Sequence, residues 1–497
     1  MLEYLVEQTK KQVVIHPTLQ SLQERELIRQ RMVYEYIFKH AVTQEVSYNT
    51  LLITRRRELH QYAAEALETL FEDQKNEMAS ALAWHYQRAK NHAKAIHYLT
   101  TAADKARLTY SYHEADYYYT EALRETELAS DIDWRQKVSL HEHQGEVRVL
   151  LGNYDQARKS YQYALQAIAA PDVLLQASAW RKIGESYVPQ RQSNQELVAY
   201  DAAIKLLGMP DPEASIEWWQ AWIELQLSRT WSLYWLNNVV EMEATLKDIQ
   251  EKTEKVGTAR QQSLWQGRWI LFLIRSQRFV LSEEQIIYAE KALELSHQIQ
   301  DFALITYHTS LLGMGYYLMR KLQKAEEQLL QAVELAQKLG NAQIEVVSYQ
   351  FLNLVGIASN NTELVARFTP LMEEKAALQL PFYLFAARGF AAWVAWKKGN
   401  LQEAEKLAME ALRLHNGVPV PNSTILWTLV AIMSHQKRYS EAVGQLQAIL
   451  LPYQYQVPAP LEQQIRKMIE LIAENPAVDY YDQFEEVLKE ARHYGFL

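Results

Sequence analysis

The chain contains no cysteine. Disulfides, thiolate nucleophiles and cysteine-ligated zinc are thereby excluded, and a cytoplasmic location is expected. Glycine (15) and proline (13) are sparse for 497 residues, so helix-breaking positions are few. No sustained run of one charge sign exists: 51 Lys+Arg and 60 Asp+Glu are interspersed, with a net charge of −9. A continuous basic face for a phosphate backbone is therefore missing, and nucleic acid is not expected as a partner. The opening MLEYLVEQTKK lacks the basic-then-apolar order of a leader. The most apolar windows, Ala303–Met319 and Pro381–Trp396, carry His308 and Arg388. Both read as buried helices, and no membrane association is expected. No G-x-x-x-x-G-K-[ST] phosphate loop occurs; Gly313-Met-Gly315 starts a G-x-G but has Leu318 at the third glycine position. No Ser/His/Asp, paired-carboxylate or H-E-x-x-H arrangement emerges either. His141 and His143 stand two apart on a helix and point to different faces. Catalysis, cofactors and metals are all unexpected.

What is abundant is helix-forming sequence, 48% hydrophobic overall. Ser139–Ala169 reads as one two-helix unit. Gly145 is followed after twelve and nineteen residues by Ala157 and Ala164, with Gly152-Asn153 as the turn. Small residues at fixed offsets are needed wherever two helix backbones cross closely. This spacing resembles the tetratricopeptide repeat, and it implies a stacking scaffold. The same offsets recur at Ala83/Ala95/Ala102, Gly313/Ala325/Ala332 and Ala392/Ala404/Ala411. Gly184 and Ala203 keep the nineteen-residue offset, but Glu196 holds the intervening small site. Gly145 to Gly184 is 39 residues and Gly313 to Ala392 is 79, so the period is nearer forty than the roughly 34 of the standard repeat. Between Glu217 and Asp301 the repeat character weakens. There the i,i+4 pairs Trp218/Trp222, Trp231/Trp235 and Trp265/Trp269 each share a helix face and read as core.

The N-terminal stretch differs. The first thirty residues are polar and broken at Pro17. Val33–Phe38 has strand composition, Thr43 offers an N-cap with Glu45 in the first turn, and helices are predicted to about Leu52 and from Thr54 to about Phe71. In Tyr34–Glu68, Phe38, His40, Gln44, Glu45, Val46, Tyr48, Arg56, Arg57, Leu59 and His60 fall in an order similar to the end of the ATPase module of bacterial signal-transduction ATPases. In those proteins a winged-helix-like subdomain closes the module just before a tetratricopeptide array, and some carry a nucleotide cyclase domain. The resemblance implies a nucleotide-sensing role for His40; the alternative is that His40 caps the next helix or packs in a small core. Without a phosphate loop it implies affiliation, not ATPase activity. Arg55-Arg56-Arg57 reads as a solvated helix face.

The expected fold is all-α: a right-handed α-solenoid superhelix of tetratricopeptide-like hairpins with a small winged-helix-like N-terminal segment. Its divisions are residues 1–75 for that segment, 76–455 for the array and 456–497 for capping helices. Counting from the small residue of each first helix, the inner concave surface should carry Glu142, Glu146, Arg181, Glu185, Tyr307, Tyr317, Trp393 and Trp396. Exposed aromatic and arginine side chains there would anchor a protein or peptide partner; burial against the next repeat is the competing reading. Two functions follow: non-enzymatic recognition of a partner or effector in the groove, or the detached sensor of a signal-transduction ATPase or nucleotide cyclase acting with a catalytic domain elsewhere.

Overall fold

The computed structural model describes residues 2–8, 14–32, 35–169, 172–416 and 419–497. They form two compact units, Met1–Asp172 and Val173–Leu497. That division falls inside the stretch read from sequence as one array. The first unit contains α1 (Leu2–Gln8), α2 (Ile15–Glu24), β1 (Ile28–Met32), β2 (Glu35–Phe38), α3 (Ala41–Asn49), α4 (Ile53–Leu70), α5 (Ala79–Ala89), α6 (His92–Leu108), α7 (Tyr112–Leu128), α8 (Trp134–Leu150) and α9 (Tyr154–Ala167). The second contains α10 (Val173–Glu185), α11 (Ser193–Leu207), α12 (Ile216–Trp235), α13 (Val239–Val256), α14 (Ala259–Ser276), α15 (Ile287–Gln298), α16 (Phe302–Leu318), α17 (Leu322–Leu339), α18 (Ala342–Ala358), α19 (Thr362–Gln379), α20 (Leu384–Lys397), α21 (Leu401–His415), α22 (Ser423–His435), α23 (Tyr439–Ile449), α24 (Ala459–Glu474) and α25 (Tyr481–His493). The chain is an all-α solenoid of tetratricopeptide-like hairpins, with β1 and β2 as a minor antiparallel pair.

Hairpins form where small residues let helices cross. A Cβ added to Gly145 on α8 would lie 2.4 Å from Cε1 of Tyr161 on α9, and one added to Gly184 on α10 would lie 2.4 Å from Cε1 of Tyr200 on α11. Each tyrosine ring thus occupies the space that a side chain on the first helix would need. The missing side chain at the crossing is matched by a large one sixteen residues on. Ala392 instead faces a hairpin in which the sixteenth residue is Ala408, and both are fully buried. Gly152 supplies the left-handed turn, with φ +77°. One further instance of the offsets is Ala103, twelve and nineteen before Ala115 and Ala122, all three fully buried. Glu196, the exception to the small-residue rule, is also buried. The Ser232 hydroxyl of α12 donates to its carboxylate, and burial raises its pKa above the ordinary carboxylate value.

Several boundaries differ from those predicted. Pro17 does not break a helix; it lies in the first turn of α2, where backbone N–H groups have no intrahelical partner. The polar segment before Val33 contains β1, whose only buried residue is Ile28. Its strand character comes from pairing with β2, Ile28 opposite Phe38 and Arg29 opposite Ile37, and not from an alternating pattern of its own. Val33 and Tyr34 lie outside the described residues. Thr43 falls inside α3, whose N-cap position is His40. Pro370 sits within α19, where it removes one backbone hydrogen bond.

The hairpin crossing yields a direct test. Replacing Gly184 by alanine gains helix propensity but overpacks against Tyr200, and we expect a net loss of about 1–3 kcal/mol. A lowered thermal midpoint for Gly184→Ala, partly restored by adding Tyr200→Leu, is the expected outcome; a midpoint equal to or above the parent's would refute the crossing as described.

Candidate partner-recognition face

In the second unit the first helix of each hairpin, the even-numbered helices from α10 to α22, presents one face toward segments far away in sequence. Arg191, in the turn after α10, donates from Nη2 to the Tyr383 hydroxyl at 2.5 Å, 192 residues away. Arg275 of α14 donates to the Pro419 carbonyl at 3.3 Å, Arg278 to the Leu451 carbonyl at 3.3 Å, and the Gln456 N–H donates to the Arg278 carbonyl at 2.8 Å. The unit is wound so that the ends of its early first helices meet the segments leading into its late ones.

On the end of α10, the middle of α12 and the start of α14 the face is polar and internally paired. Arg181 Nη1 lies 2.5 Å from Glu185 Oε1 and 3.9 Å from Glu224 Oε1. Ser228 donates to Glu185 at 2.7 Å. Glu224 also accepts from Arg260 at 3.0 Å and from Gln261 at 3.1 Å, and Arg260 reaches Asp301 at 3.6 Å. Further along, the face becomes aromatic. Arg268 donates to the Tyr307 hydroxyl at 2.8 Å and lies over Trp231 at 4.7 Å; Trp231 stacks on Tyr234 and meets Trp235 edge to face.

Part of this face is covered by the unit's own chain. Between α23 and α24, residues 455–458 have no regular secondary structure. Tyr455 packs on Phe279 at 4.7 Å and leaves a residual space of about 30 Å³ against Leu354, Phe385, Phe390 and Ile425. Burial pushes its hydroxyl pKa well above the ordinary value. Gln454 exchanges hydrogen bonds with Asn422 at 3.1 and 2.5 Å. After α25, Phe496 stacks on Trp427 at 6.1 Å beneath the Arg320 guanidinium at 5.4 Å, and Leu497 is buried. The segment read as an end cap therefore also lines the inside of the unit.

Of the eight residues assigned to the inner surface, Glu142 and Glu146 lie half-buried on α8 of the first unit; the other six belong to the second. Arg181, Glu185 and Tyr307 join the network just described, and Trp396 is half-buried with Lys397 and Arg492 over its ring at 5.5 and 6.0 Å. Tyr317 and Trp393 are corrections. Tyr317 is 5% exposed, edge-on to Phe351, and Trp393 is 0% exposed. A central first helix is flanked on both sides by other first helices, so its accessible strip is narrower than a count from Gly313 or Ala392 suggests. Sequence reasoning missed Arg191, Arg268 and Tyr455, because the neighbours described above are 30 to 192 residues distant. Two of the three tryptophan pairs pack as core, with Trp222 and Trp265 buried and stacked on Trp218 and Trp269; Trp231 and Trp235 are both half-buried.

In the first unit, side-chain contacts join α3, α4 and α5 within and just beyond residues 35–68. The Tyr48 hydroxyl lies 2.9 Å from His60 Nε2, and Arg56 lies over the Tyr48 ring at 5.1 Å while donating to the Leu51 carbonyl. His60 Nδ1 lies 3.0 Å from His85 Nδ1 of α5, and Trp84 packs edge-on against both rings. Of Arg55-Arg56-Arg57, only Arg57 fits the solvated-face reading; Arg55 pairs with Glu58 at 2.8 Å. His40 is exposed and makes no side-chain cap hydrogen bond, so it neither caps α3 nor packs in a core. His141 packs against Tyr163 and His143 against Tyr119, different neighbours as their spacing implies.

No family model matches this chain, and no curated protein does. Solved structures similar to it include a Rap protein complexed with competence and sporulation factor (12% identity, 76% of this chain and 98% of that one, TM-score 0.45). Another is the Cut9–Hcn1 hetero-tetramer of the APC/C (13%, 90% and 95%, 0.43). A third is a signal-transduction ATPase with numerous domains and a tetratricopeptide repeat sensor from Pyrococcus horikoshii (15%, 84% and 60%, 0.45). Among the described residues no helix is long and apolar enough to cross a membrane.

The imidazole pair predicts acid sensitivity. Burial first, then the charges of His60 and Arg88, hold His85 at about 4, and burial also lowers His60. Two facing Nδ1 atoms at 3.0 Å accommodate one proton between them. Because the folded values lie below the unfolded 6.5, stability is full above pH 6.5 and falls as pH drops from about 6.5 toward 4. The thermal midpoint of the transition that includes the first unit should fall over that window, and less steeply in His85→Gln; equal slopes in both proteins would remove the pair as the cause.

Proposed function

We propose that the protein is a non-enzymatic recognition scaffold whose partner lies on the inner face of the second unit's first helices. The observation that carries this reading is that the face already holds a non-helical segment of its own chain, with Tyr455 seated among residues of α18, α20 and α22. A surface that accepts one irregular segment through aromatic packing and amide hydrogen bonds has the chemistry to accept another. The remaining strip, with Arg181, Glu185, Tyr307 and Trp396, combines the residue types that dominate binding hot spots. Glu142 and Glu146 would serve a partner of the first unit. Peptides selected on an array with the intact protein should bind Arg181→Ala at least about tenfold more weakly, a loss of about 1.4 kcal/mol. Unchanged affinity by calorimetry for every selected peptide sinks the assignment.

A second reading is favoured by a different observation: no residue of α3 is buried, and Phe38, Val42, Val46, Leu52 and Ile53 are exposed. An apolar face of this kind suits a covering protein. It supports the role of a detached sensor for an ATPase or cyclase domain, with exposed His40 as the residue that would meet that domain's nucleotide. Such a domain, if encoded beside this chain, should copurify with the parent protein but not with Val46→Asp. Copurification indifferent to that change rules out this face.

A further inference from the structure

Three guanidinium groups inside the second unit have no acid to pair with. Arg191 lies over Trp235 at 3.5 Å and gives one N–H to Tyr383, while its Nε and Nη1 are buried without a hydrogen-bond partner. Arg268 is spent on neutral acceptors, the Tyr307 hydroxyl at 2.8 Å and the Leu227 carbonyl at 3.4 Å. Arg275, 5% exposed, lies over Tyr234 at 4.5 Å, donates to the Pro419 carbonyl and has a buried, unpartnered Nε. The Trp235 Nε1 donor is likewise buried and idle. Among the described residues, none of the three arginines has a carboxylate at ion-pair distance, whereas neighbouring Arg181, Arg229 and Arg260 all do. Glu196, whose carboxylate feels the charge of Arg191, is held by Ser232.

In a chain of net charge −9, a buried arginine and two half-buried ones without a counter-charge are unexpected, because a desolvated charge without a counter-charge is unfavourable. The aromatic faces offset only part of that cost. Planar guanidiniums locked by stacking, with N–H groups unused, are arranged in advance for an oxyanion. They also border one region. Arg191 and Arg268 lie 5.9 and 4.7 Å from the same Trp231 ring, and Arg275 lies over Tyr234, which stacks on it.

We propose that Arg191, Arg268 and Arg275 form an anion-recognition site inside the second unit, taking the phosphate or carboxylate group of a low-molecular-weight ligand. The Arg191–Tyr383 and Arg275–Pro419 hydrogen bonds tie later segments of the chain to these side chains, which favours a small ligand over a second protein chain. Recognition of a peptide elsewhere on the face is not required for it.

The test uses the full chain with pyrophosphate, citrate, and sodium chloride at matched ionic strength, read by thermal midpoint and tryptophan fluorescence. Trp231 and Trp235 are the reporters. Pyrophosphate, citrate or both should raise the midpoint by about 2–4 °C at saturation and change the fluorescence beyond the chloride control. Which of them acts separates a phosphate ligand from a carboxylate one. Arg268→Gln and Arg275→Gln should weaken the response at least about tenfold, while Arg57→Gln, at an exposed site, leaves it unchanged. Should either glutamine variant fail to fold by circular dichroism, the parent protein's fluorescence titration decides. No response of the parent beyond chloride, or an undiminished response in both folded variants, overturns the site.

Discussion

Everything in this protein rests on helices crossing where one of them has no side chain. At Gly145 and Gly184 the opposing tyrosine ring occupies the place a Cβ would take, so the hairpin is a lock between an absence and a large residue. Because the lock is local, it repeats with tolerance. Ala392 with Ala408 solves the same crossing with two small residues, and Glu196 survives at a small site because Ser232 supplies a hydrogen-bond donor from the next hairpin. Within each of the two units a hairpin buries its faces on its neighbours, which is how a run of modest hairpins holds together.

Winding has a second consequence in the second unit. First-helix faces that would be open in a short stack meet residues from later hairpins, through Arg191 with Tyr383, Arg275 with Pro419 and Phe279 with Tyr455. The inner surface is therefore divided. Part is covered by the unit's own segment, part is a paired polar strip, and part holds arginines matched to aromatic faces instead of acids. These three parts differ in chemistry.

In the N-terminal block, Tyr48, Arg56 and His60 have a physical account independent of nucleotide chemistry. Tyr48, Arg56 and His60 hold α3 to α4 and, through His85 and Trp84, to α5. The ordered motif is thus the joint between a strand-bearing segment and the first helical hairpins. His40 stands outside that joint, exposed, and Phe38, Val42 and Val46 are exposed beside it in sequence.

From sequence alone came the all-α class, the hairpin offsets, the near-forty-residue period, the turn at Gly152 and the pairing of tryptophans on single faces. Apart from the period, which is read by comparing successive hairpins, all are local: they depend on residues within about twenty positions, and helix periodicity transmits them directly. The strand β1 was not legible, because its pairing partner and not its own pattern makes it a strand. Nor could the sequence say which inner-face candidates stay accessible. Trp393 and Trp396 stand three residues apart, yet one is sealed and the other half-open, because flanking helices cover one side of the turn more than the other. Tertiary structure alone decided that Arg191, Arg268 and Arg275 gather around the aromatic end of α12 without an acid. Their separation along the chain encodes nothing about that meeting; the winding of the second unit does.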